Sequence, residues 1–174
     1  MTMQSFAAAM LAEVDALHQF AWRLARRANE AEDLVQETFA RAIAAQAQFR
    51  EGSNLKAWLF RILRNIHLDS IRRDRRNPVT SSDVTDDGGS DDGRVELLRG
   101  DLEIERLRGL VADDIEAALF ELSEEARTVV LLDLEGFSES EIADVMGTAP
   151  GTVKSHLSDA RARLRTALME TDDA

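Results

Sequence analysis

The sequence predicts an all-α protein in which a flexible acidic linker joins two small helical domains, the C-terminal one containing a helix-turn-helix. In both halves, apolar residues recur at spacings of three and four, which is typical of packed helices. A segment rich in Asp, Gly and Ser separates the halves and offers almost nothing to bury. Near the C-terminus, two short helical patterns flank a turn that contains Gly. The predicted boundaries are 1–76, 77–112 for the linker, and 113–170.

The first domain is predicted to contain three helices. An apolar stripe favours one continuous helix over 4–28. Asn29 is expected to cap a second helix that continues to about Ala47. Gly52 allows a turn, and a third helix is predicted from Leu55 to about Arg73.

The third helix combines an apolar side with a basic side. Ser53 or Asn54 is expected to cap it, and Trp58 is expected to face the core. With the cations beside them, Trp58, Phe60 and His67 form the combination that grips a backbone and stacks on bases in proteins that bind single strands. The alternative is that most of these rings belong to the core. The predicted inward residues are Leu55, Trp58, Leu59, Ile62, Leu63, Ile66 and Ile71. The basic residues are Lys56, Arg61, Arg64, Arg72, Arg73, Arg75 and Arg76.

The second domain is predicted to begin with Asp113 and Asp114 opening a helix that carries Ile115, Leu119 and Leu122. Ser123 is expected to cap the next helix, which Gly136 ends. The tail after Leu168 is polar and is expected to fray.

The helix-turn-helix prediction depends on three local signals. Ser138 and Glu141 have capping-box spacing, Gly147 suits a left-handed helix end, and Pro150 suits the first turn of the next helix. The expected packed residues are Ile142, Val145, Val153, Leu157 and Leu164. The candidate DNA-reading residues are Thr152, Lys154, Ser155, His156, Ser158, Asp159, Arg161 and Arg163. An ordinary helical hairpin is the alternative, since Arg near a helix C-terminus also complements the helix dipole.

The charge distribution bears on DNA binding. The net charge is −12, but the first 76 residues carry 12 Lys/Arg against 9 Asp/Glu, whereas residues 77–125 carry 4 against 15. Most of the acidity is therefore central. A chain of this charge should bind free DNA weakly, because affinity depends on neutralising phosphates, and this implies a partner that supplies most of the affinity.

Composition excludes several other classes of site. There is no Cys, so disulfides and thiolate metal sites are excluded. No acid–base pair, metal cluster or phosphate-binding loop is visible, so we expect neither an enzyme nor a cofactor. No apolar run is long enough for membrane insertion and no secretory signal is visible, so a cytoplasmic protein is expected.

The polar side of the second helix permits two interpretations. It carries Asp33, Gln36, Glu37 and Arg41. Charged helix faces are usually only solvated, but this one is also suited to a partner protein.

Taken in order, these segments resemble bacterial sigma factors, and the short two-domain extracytoplasmic-function (ECF) group fits best. The resemblance covers essentially the whole chain. Its most specific segments are Glu32-Asp-Leu-Val-Gln-Glu-Thr-Phe39, the run from Phe49 to Asn65, Gly136-Phe-Ser-Glu-Ser-Glu-Ile-Ala143 and Gly151-Thr-Val-Lys-Ser-His-Leu157.

The resemblance implies roles for three groups of residues. Asp33, Gln36 and Glu37, with Arg41 beside them, would dock on the clamp helices of core RNA polymerase, and the helix from Thr152 would read the −35 promoter element. The linker would run toward the RNA exit channel, and an anti-sigma factor would regulate the protein. The residues matched to capture and melting of the −10 element are Phe49, Gly52, Ser53, Asn54, Lys56, Arg61, Arg64, Asn65 and Arg72.

The chain departs from the family pattern at His156 and Asp159, where many relatives carry Arg. Asp159 is suited to accept a hydrogen bond from cytosine N4 or to orient Arg163, so the −35 sequence should not be borrowed from another member. His156 is expected to make a plain polar contact, with pH sensing as the alternative. Two other functions stay open: a stand-alone helix-turn-helix repressor or activator, and a sigma-like decoy that titrates an anti-sigma factor.

Overall fold

The computed structural model describes residues 3–25, 27–76 and 114–172, and the regular elements in these ranges are all helical. The all-α prediction is therefore confirmed. The predicted linker, 77–112, and the predicted helix start at Asp113 lie outside the described residues. The helices are α1 (Met3–Leu11), α2 (Val14–Ala25), α3 (Ala28–Ala44), α4 (Leu55–Arg76), α5 (114–121), α6 (Glu124–Leu134), α7 (Glu139–Met146) and α8 (Pro150–Asp172), with a 3-10 turn at Gln46–Gln48.

The prediction of one helix over 4–28 was wrong, because the chain bends between α1 and α2. The backbone N–H of Glu13 donates to the Met10 carbonyl at 3.0 Å, a tighter pairing than the α-helix uses. The bend brings α1 against α4, where the Phe6 ring lies 6.2 Å from the Trp58 ring. Phe6 and Met10 are both buried. The apolar spacing continues through the bend, so periodicity alone did not reveal it.

Helix α3 begins one residue before its predicted cap. Arg27, not Asn29, is the N-cap, and it makes no side-chain capping bond. Instead, Arg27 Nη1 donates to Glu30 Oε1 at 3.1 Å. The start is thus set by packing, since Ala31 and Leu34 in the first turns are buried, and this overrides the capping preference of Asn29.

The turn before α4 follows its predicted chemistry. Gly52 has φ of +86°, a conformation that is costly for residues with a Cβ. Asn54 Oδ1 accepts from the Ala57 N–H at 3.1 Å and so caps the helix. Helix α4 then runs to Arg76, beyond the predicted end near Arg73, because basic residues in a last turn complement the helix dipole.

The helix-turn-helix is confirmed in detail. Ser138 and Glu141 form a complete capping box, Gly147 is left-handed with φ of +66°, and α8 begins at Pro150. Ser123 caps α6 as predicted. The predicted packed residues Ile142, Val145, Val153 and Leu157 are buried and Leu164 is partly buried. Helix α8 continues to Asp172, past Leu168, where the polar tail was expected to begin. Of the apolar residues on α5, Leu119 is buried and Ile115 is exposed.

The core extends from one half of the chain to the other through aromatic rings. Phe60 of α4 is fully buried, its ring 4.8 Å from that of Phe20 and 5.2 Å from that of Phe137. Phe137 lies in the turn between α6 and α7. Of the two interpretations of the Phe60 ring, stacking on bases or the core, the structure supports the core, because the second half of the chain covers that side of α4.

Candidate nucleic-acid interface

The N-terminal part of α8 presents a polar face held in place by a buried one. Val153, Leu157 and Ala160 are buried against the rest of the C-terminal half. Thr152, Lys154, Ser155, Ser158 and Asp159 are exposed, and His156 is half-buried. The Ser155 hydroxyl donates to the Gly151 carbonyl at 3.2 Å. This geometry leaves one side of the helix free to enter a major groove.

Arg161 and Arg163 extend the exposed face of α8, and Arg161 has a partner in the preceding helix. Its Nη2 lies 2.8 Å from Asp133 Oδ2 of α6. Asp159 was considered as the residue that orients Arg163, whereas the pairing of Arg161 with Asp133 was not predicted. No local signal points to that pair, because its members lie 28 residues apart in the chain.

The exposed side of the first half carries the residues matched to polymerase docking. Asp33, Gln36, Glu37 and Arg41 are all exposed on α3, opposite the buried Leu34, Val35, Thr38 and Ala42. Glu37 Oε1 accepts from Arg41 Nε at 2.7 Å. These four side chains form one continuous polar surface, which fits both interpretations given above.

The residues matched to the −10 element fall into an exposed and a covered set. Arg61, Asn65 and Arg72 are exposed. Arg61, Asn65 and Trp58 line an open pocket of about 310 Å³ together with Arg41, Ala45, Gln48 and Ile62. The structure thus brings one residue of the docking set, Arg41, beside two of the −10 set.

The loop before α4 is anchored by Phe49, whose ring lies 5.7 Å from that of Phe6 and 5.3 Å from that of Trp58. Gly52 and Ser53 are exposed at its tip. The Ser53 hydroxyl donates to the Arg50 carbonyl at 2.6 Å. The loop is therefore fixed at its apolar base and open to solvent at its tip.

Asn54 and Lys56 contact the second half of the chain. Asn54 Nδ2 donates to Glu141 Oε1 at 2.7 Å. Lys56 Nζ lies 3.1 Å from Glu135 Oε2 and donates to the Glu135 carbonyl at 3.2 Å. The same ammonium stands over the rings of Phe60 and Phe137, at 5.6 and 5.3 Å from their centres. Both side chains are thus already engaged by α6, α7 and the turn between them.

Arg64 and His67 lie farther along α4 near the start of α6. His67 Nε2 is 3.5 Å from Glu124 Oε1. Burial, with the nearby cation of Arg127, lowers the pKa of His67, and burial likewise lowers the pKa of Arg64. Burial raises the pKa of Glu124. The His67 ring is buried against Glu124, which supports the core interpretation of this ring over stacking on bases. No local sequence signal indicates this contact.

Within the described ranges, His, Asp and Glu side chains form no group of three or more that could hold a metal ion. In the same ranges, no helix is both long and apolar enough to cross a membrane.

Two family models match the two halves of the chain. Sigma-70 region 2 matches residues 10–77, and sigma-70 region 4 matches residues 112–164. Helices α3 and α4 fall in the first match and the helix-turn-helix in the second. Each family match therefore covers the surface that the sequence resemblance had indicated.

Individual relatives agree with these matches. The chain is 39% identical over 169 residues to the ECF RNA polymerase sigma factor EcfG of Rhodopseudomonas palustris, covering 95% of this chain and 85% of that protein. Among solved structures, it is similar to the sigma factor RpoE of Bartonella quintana in complex with the anti-sigma factor NepR (TM-score 0.74, 34% identity, 95% and 98% of the two chains). It is also similar to CnrH in complex with the cytosolic domain of CnrY (TM-score 0.66, 26% identity, 98% and 91%). Sequence and fold together show that this chain belongs to the ECF sigma factors of bacterial RNA polymerase.

Proposed function

We propose that this chain binds core RNA polymerase and directs it to promoters by recognising a −35 and a −10 element and by aiding promoter melting. One observation carries the proposal: the exposed face of α8 and the basic helix α4 occur in one chain, matched respectively to sigma-70 regions 4 and 2. The working division is 1–76 for polymerase docking and the −10 element, 77–112 as linker, and 113–170 for the −35 element. The chain itself acts in the cytoplasm and without catalysis.

The −35 element is read by the exposed side of α8. Lys154, Arg161 and Arg163 supply the positive charge for phosphates and guanine edges, and Thr152, Ser155 and Ser158 supply hydroxyls. His156 contributes a polar contact. Asp159 is exposed on this face and repels phosphate, so its role is at a base edge, where it accepts from cytosine N4.

The −10 element is bound by the loop and helix that begin at Phe49. Gly52 and Ser53 form the exposed tip, and Arg61, Asn65 and Arg72 are exposed along α4. Unstacking a base costs a few kcal/mol, which contacts to a flipped base and to the backbone must offset. Asn54, Lys56 and Arg64 join this surface when the second half of the chain moves away from α4.

Docking on core polymerase uses the polar surface of α3. Asp33 and Glu37 present carboxylates there with Gln36 between them, and Arg41 is held by Glu37 at 2.7 Å. Core polymerase supplies most of the affinity for DNA, because the free chain has a net charge of −12 and should bind DNA weakly. The complex of the similar sigma factor RpoE with the anti-sigma factor NepR supports control of this chain by an anti-sigma protein as well.

DNA-binding assays with each protein alone and with both together test this proposal against the two other functions. A fragmented genomic library is incubated with the chain alone, with core polymerase alone, and with both, and the retained fragments are sequenced. A sigma factor enriches defined fragments only when both proteins are present. Enrichment by the chain alone would support a repressor or activator, and binding to an anti-sigma protein without any enrichment would support a decoy.

A further inference from the structure

We propose that Asp133 is a positioning residue, which makes Arg161 a reader of base edges in the −35 element and lowers its affinity for phosphates. The inference rests on the proposed function and deepens it, since Arg161 is there one of the cations for phosphates and guanine edges alike. Asp133 belongs to α6, outside the helix-turn-helix, and its carboxylate oxygen Oδ2 lies 2.8 Å from Nη2 of Arg161.

Arg161 lies in line with two other polar residues on the exposed face of α8. Lys154, Ser158 and Arg161 are separated by four and three residues, so they follow one another along one stripe of the helix, and all three are exposed. On the opposite side, Leu157 and Ala160 are buried and fix the rotation of α8 about its axis. The Arg161 guanidinium is therefore presented on the same side of α8 as the residues near its start.

The stability of α6 does not explain why an acid occupies position 133. Helix α6 ends at Leu134, so Asp133 lies in its last turn, where the partial negative charge of the helix end disfavours a carboxylate. The ion pair with Arg161 is partly exposed, and pairs of that kind stabilise a fold only slightly. A residue that breaks a local preference without a clear gain in stability is better explained by its effect on Arg161.

The Asp133 carboxylate changes which DNA groups Arg161 binds best. A phosphate that approached the guanidinium would meet the negative charge of Asp133 beside it, whereas the edge of a guanine carries no net charge. The described ranges show a single hydrogen bond from the guanidinium, through Nη2. The planar fork has five N–H donors, so one of its edges remains available for the O6 and N7 acceptors of guanine. Because the carboxylate also restricts the orientation of the fork, it favours a bidentate contact with a base.

Two simpler roles of the ion pair predict different DNA binding. If the pair only stabilised α8, its loss would weaken binding to every sequence alike. If Asp133 only repelled DNA, its loss would strengthen binding to every sequence alike, with or without Arg161. The positioning role predicts a third result: binding depends less on one base pair of the −35 element, and this change requires Arg161.

Binding of promoter duplexes by the complex of the full chain with core polymerase tests this role. The duplexes come from a promoter enriched in the DNA-binding assay described above. Each −35 base pair is replaced in turn, and the ratio of the affinities for the original and the replaced duplex measures discrimination. Asp133→Ala should lower discrimination at one G·C pair about tenfold, and Arg161→Ala should lower it at the same pair. In the Arg161→Ala background, Asp133→Ala should not change that ratio further.

Asp144→Asn is the matched control for the loss of one negative charge. Asp144 is an exposed acid of α7, in the same half of the chain, and the described ranges show no ion pair for it. This variant should leave every discrimination ratio unchanged. A change at the same G·C pair in the control would assign the effect to net charge and overturn the proposal.

The salt dependence of binding to a duplex without promoter elements separates base contacts from phosphate contacts. A guanidinium released from Asp133 is free to neutralise a phosphate. The slope of log affinity against log salt should therefore become steeper by up to about 0.9 in Asp133→Ala. Asp133→Asn, which keeps an acceptor oxygen near Arg161, should fall between wild type and Asp133→Ala. Circular dichroism identifies a variant that fails to fold, and Asp133→Asn then carries the test.

Three results would overturn the proposal. They are unchanged discrimination in both Asp133 variants, an equal change of affinity for all duplexes, and a further change of the ratio by Asp133→Ala when Arg161 is absent. Failure of the proposed function would appear separately, as an absence of enriched promoters.

Discussion

Arg161 of α8 and Asp133 of α6 form an ion pair, with 2.8 Å between Nη2 and Oδ2. The pair connects α8 to the helix that precedes the helix-turn-helix. The side chains are 60% and 34% exposed, so the pair contributes little to folding, about 0.2–1 kcal/mol. Its effect is on the position of the guanidinium, which it holds at the edge of the proposed DNA-binding face. On the proposed assignment, Arg161 is therefore oriented before DNA binds.

Replacing Lys154 or Arg161 by Ala should weaken −35 recognition, because each removes a cation from the exposed face of α8. We expect each substitution to cost about 1–2 kcal/mol of binding free energy, which lowers the affinity of the polymerase complex for the promoter roughly 5- to 30-fold. Affinity for core polymerase alone should not change. Arg165→Ala, on the exposed side of the same helix, is the control. Unchanged promoter occupancy in both variants would refute the assignment of this face.

Replacing both Asp33 and Glu37 by Ala should weaken assembly with core polymerase by at least tenfold, because two carboxylates leave the proposed docking surface. The fold should be spared, since the ion pair between Glu37 and Arg41 is exposed and contributes about 0.3–0.5 kcal/mol. Fluorescence titration of labelled protein with core polymerase measures the change. Glu32→Ala, an exposed acid of the same helix, controls for lost charge. Undiminished binding would place the docking surface elsewhere.

Replacing Ser138 by Ala should lower the free energy of unfolding by about 1 kcal/mol, because α7 loses its N-cap. Urea denaturation followed by circular dichroism measures the loss. Ser140→Ala, within the same helix, should change stability by less than about 0.5 kcal/mol. If the two variants were equally stable, the capping box would not stabilise the helix-turn-helix.

Stability should depend on pH through His67. Burial and the cation of Arg127 lower its pKa, so the folded protein binds fewer protons at this site than the unfolded chain, whose His titrates near 6.5. Stability relative to a His67→Gln variant should therefore fall as pH decreases from about 7.5 to 5.5. Glu124 acts oppositely at lower pH, because its raised pKa makes the folded state bind the proton more readily. Urea titrations at each pH measure the free energy of unfolding of both proteins. A difference in that free energy between wild type and variant that did not change with pH would refute this account.

How much of the structure could be predicted depended on the distance along the chain over which each signal acts. Ser138, Glu141, Gly147 and Pro150 act on backbone groups within a few residues, so the helix-turn-helix was predicted almost residue by residue. The bend between α1 and α2 was missed because the apolar spacing passes through it.

Contacts between distant segments were not predictable in the same way. Lys56 and Glu135 are 79 residues apart, and nothing near either residue indicates the other. The same holds for Phe60 and Phe137, which meet only because α4 and the turn after α6 pack together. The pattern of α4 indicated a basic helix correctly. Which of its cations are covered depends on tertiary packing alone.

Multi-round transcription by purified bacterial core polymerase, with and without this protein, on a genomic promoter library tests the central claim most directly. We predict defined start sites that appear only when the protein is present, each preceded by shared −35 and −10 elements. Loss of those starts in the Lys154→Ala, Arg161→Ala double variant would connect the −35 element to α8. Transcription that is identical with and without the protein, under conditions where it binds core polymerase, would contradict the account.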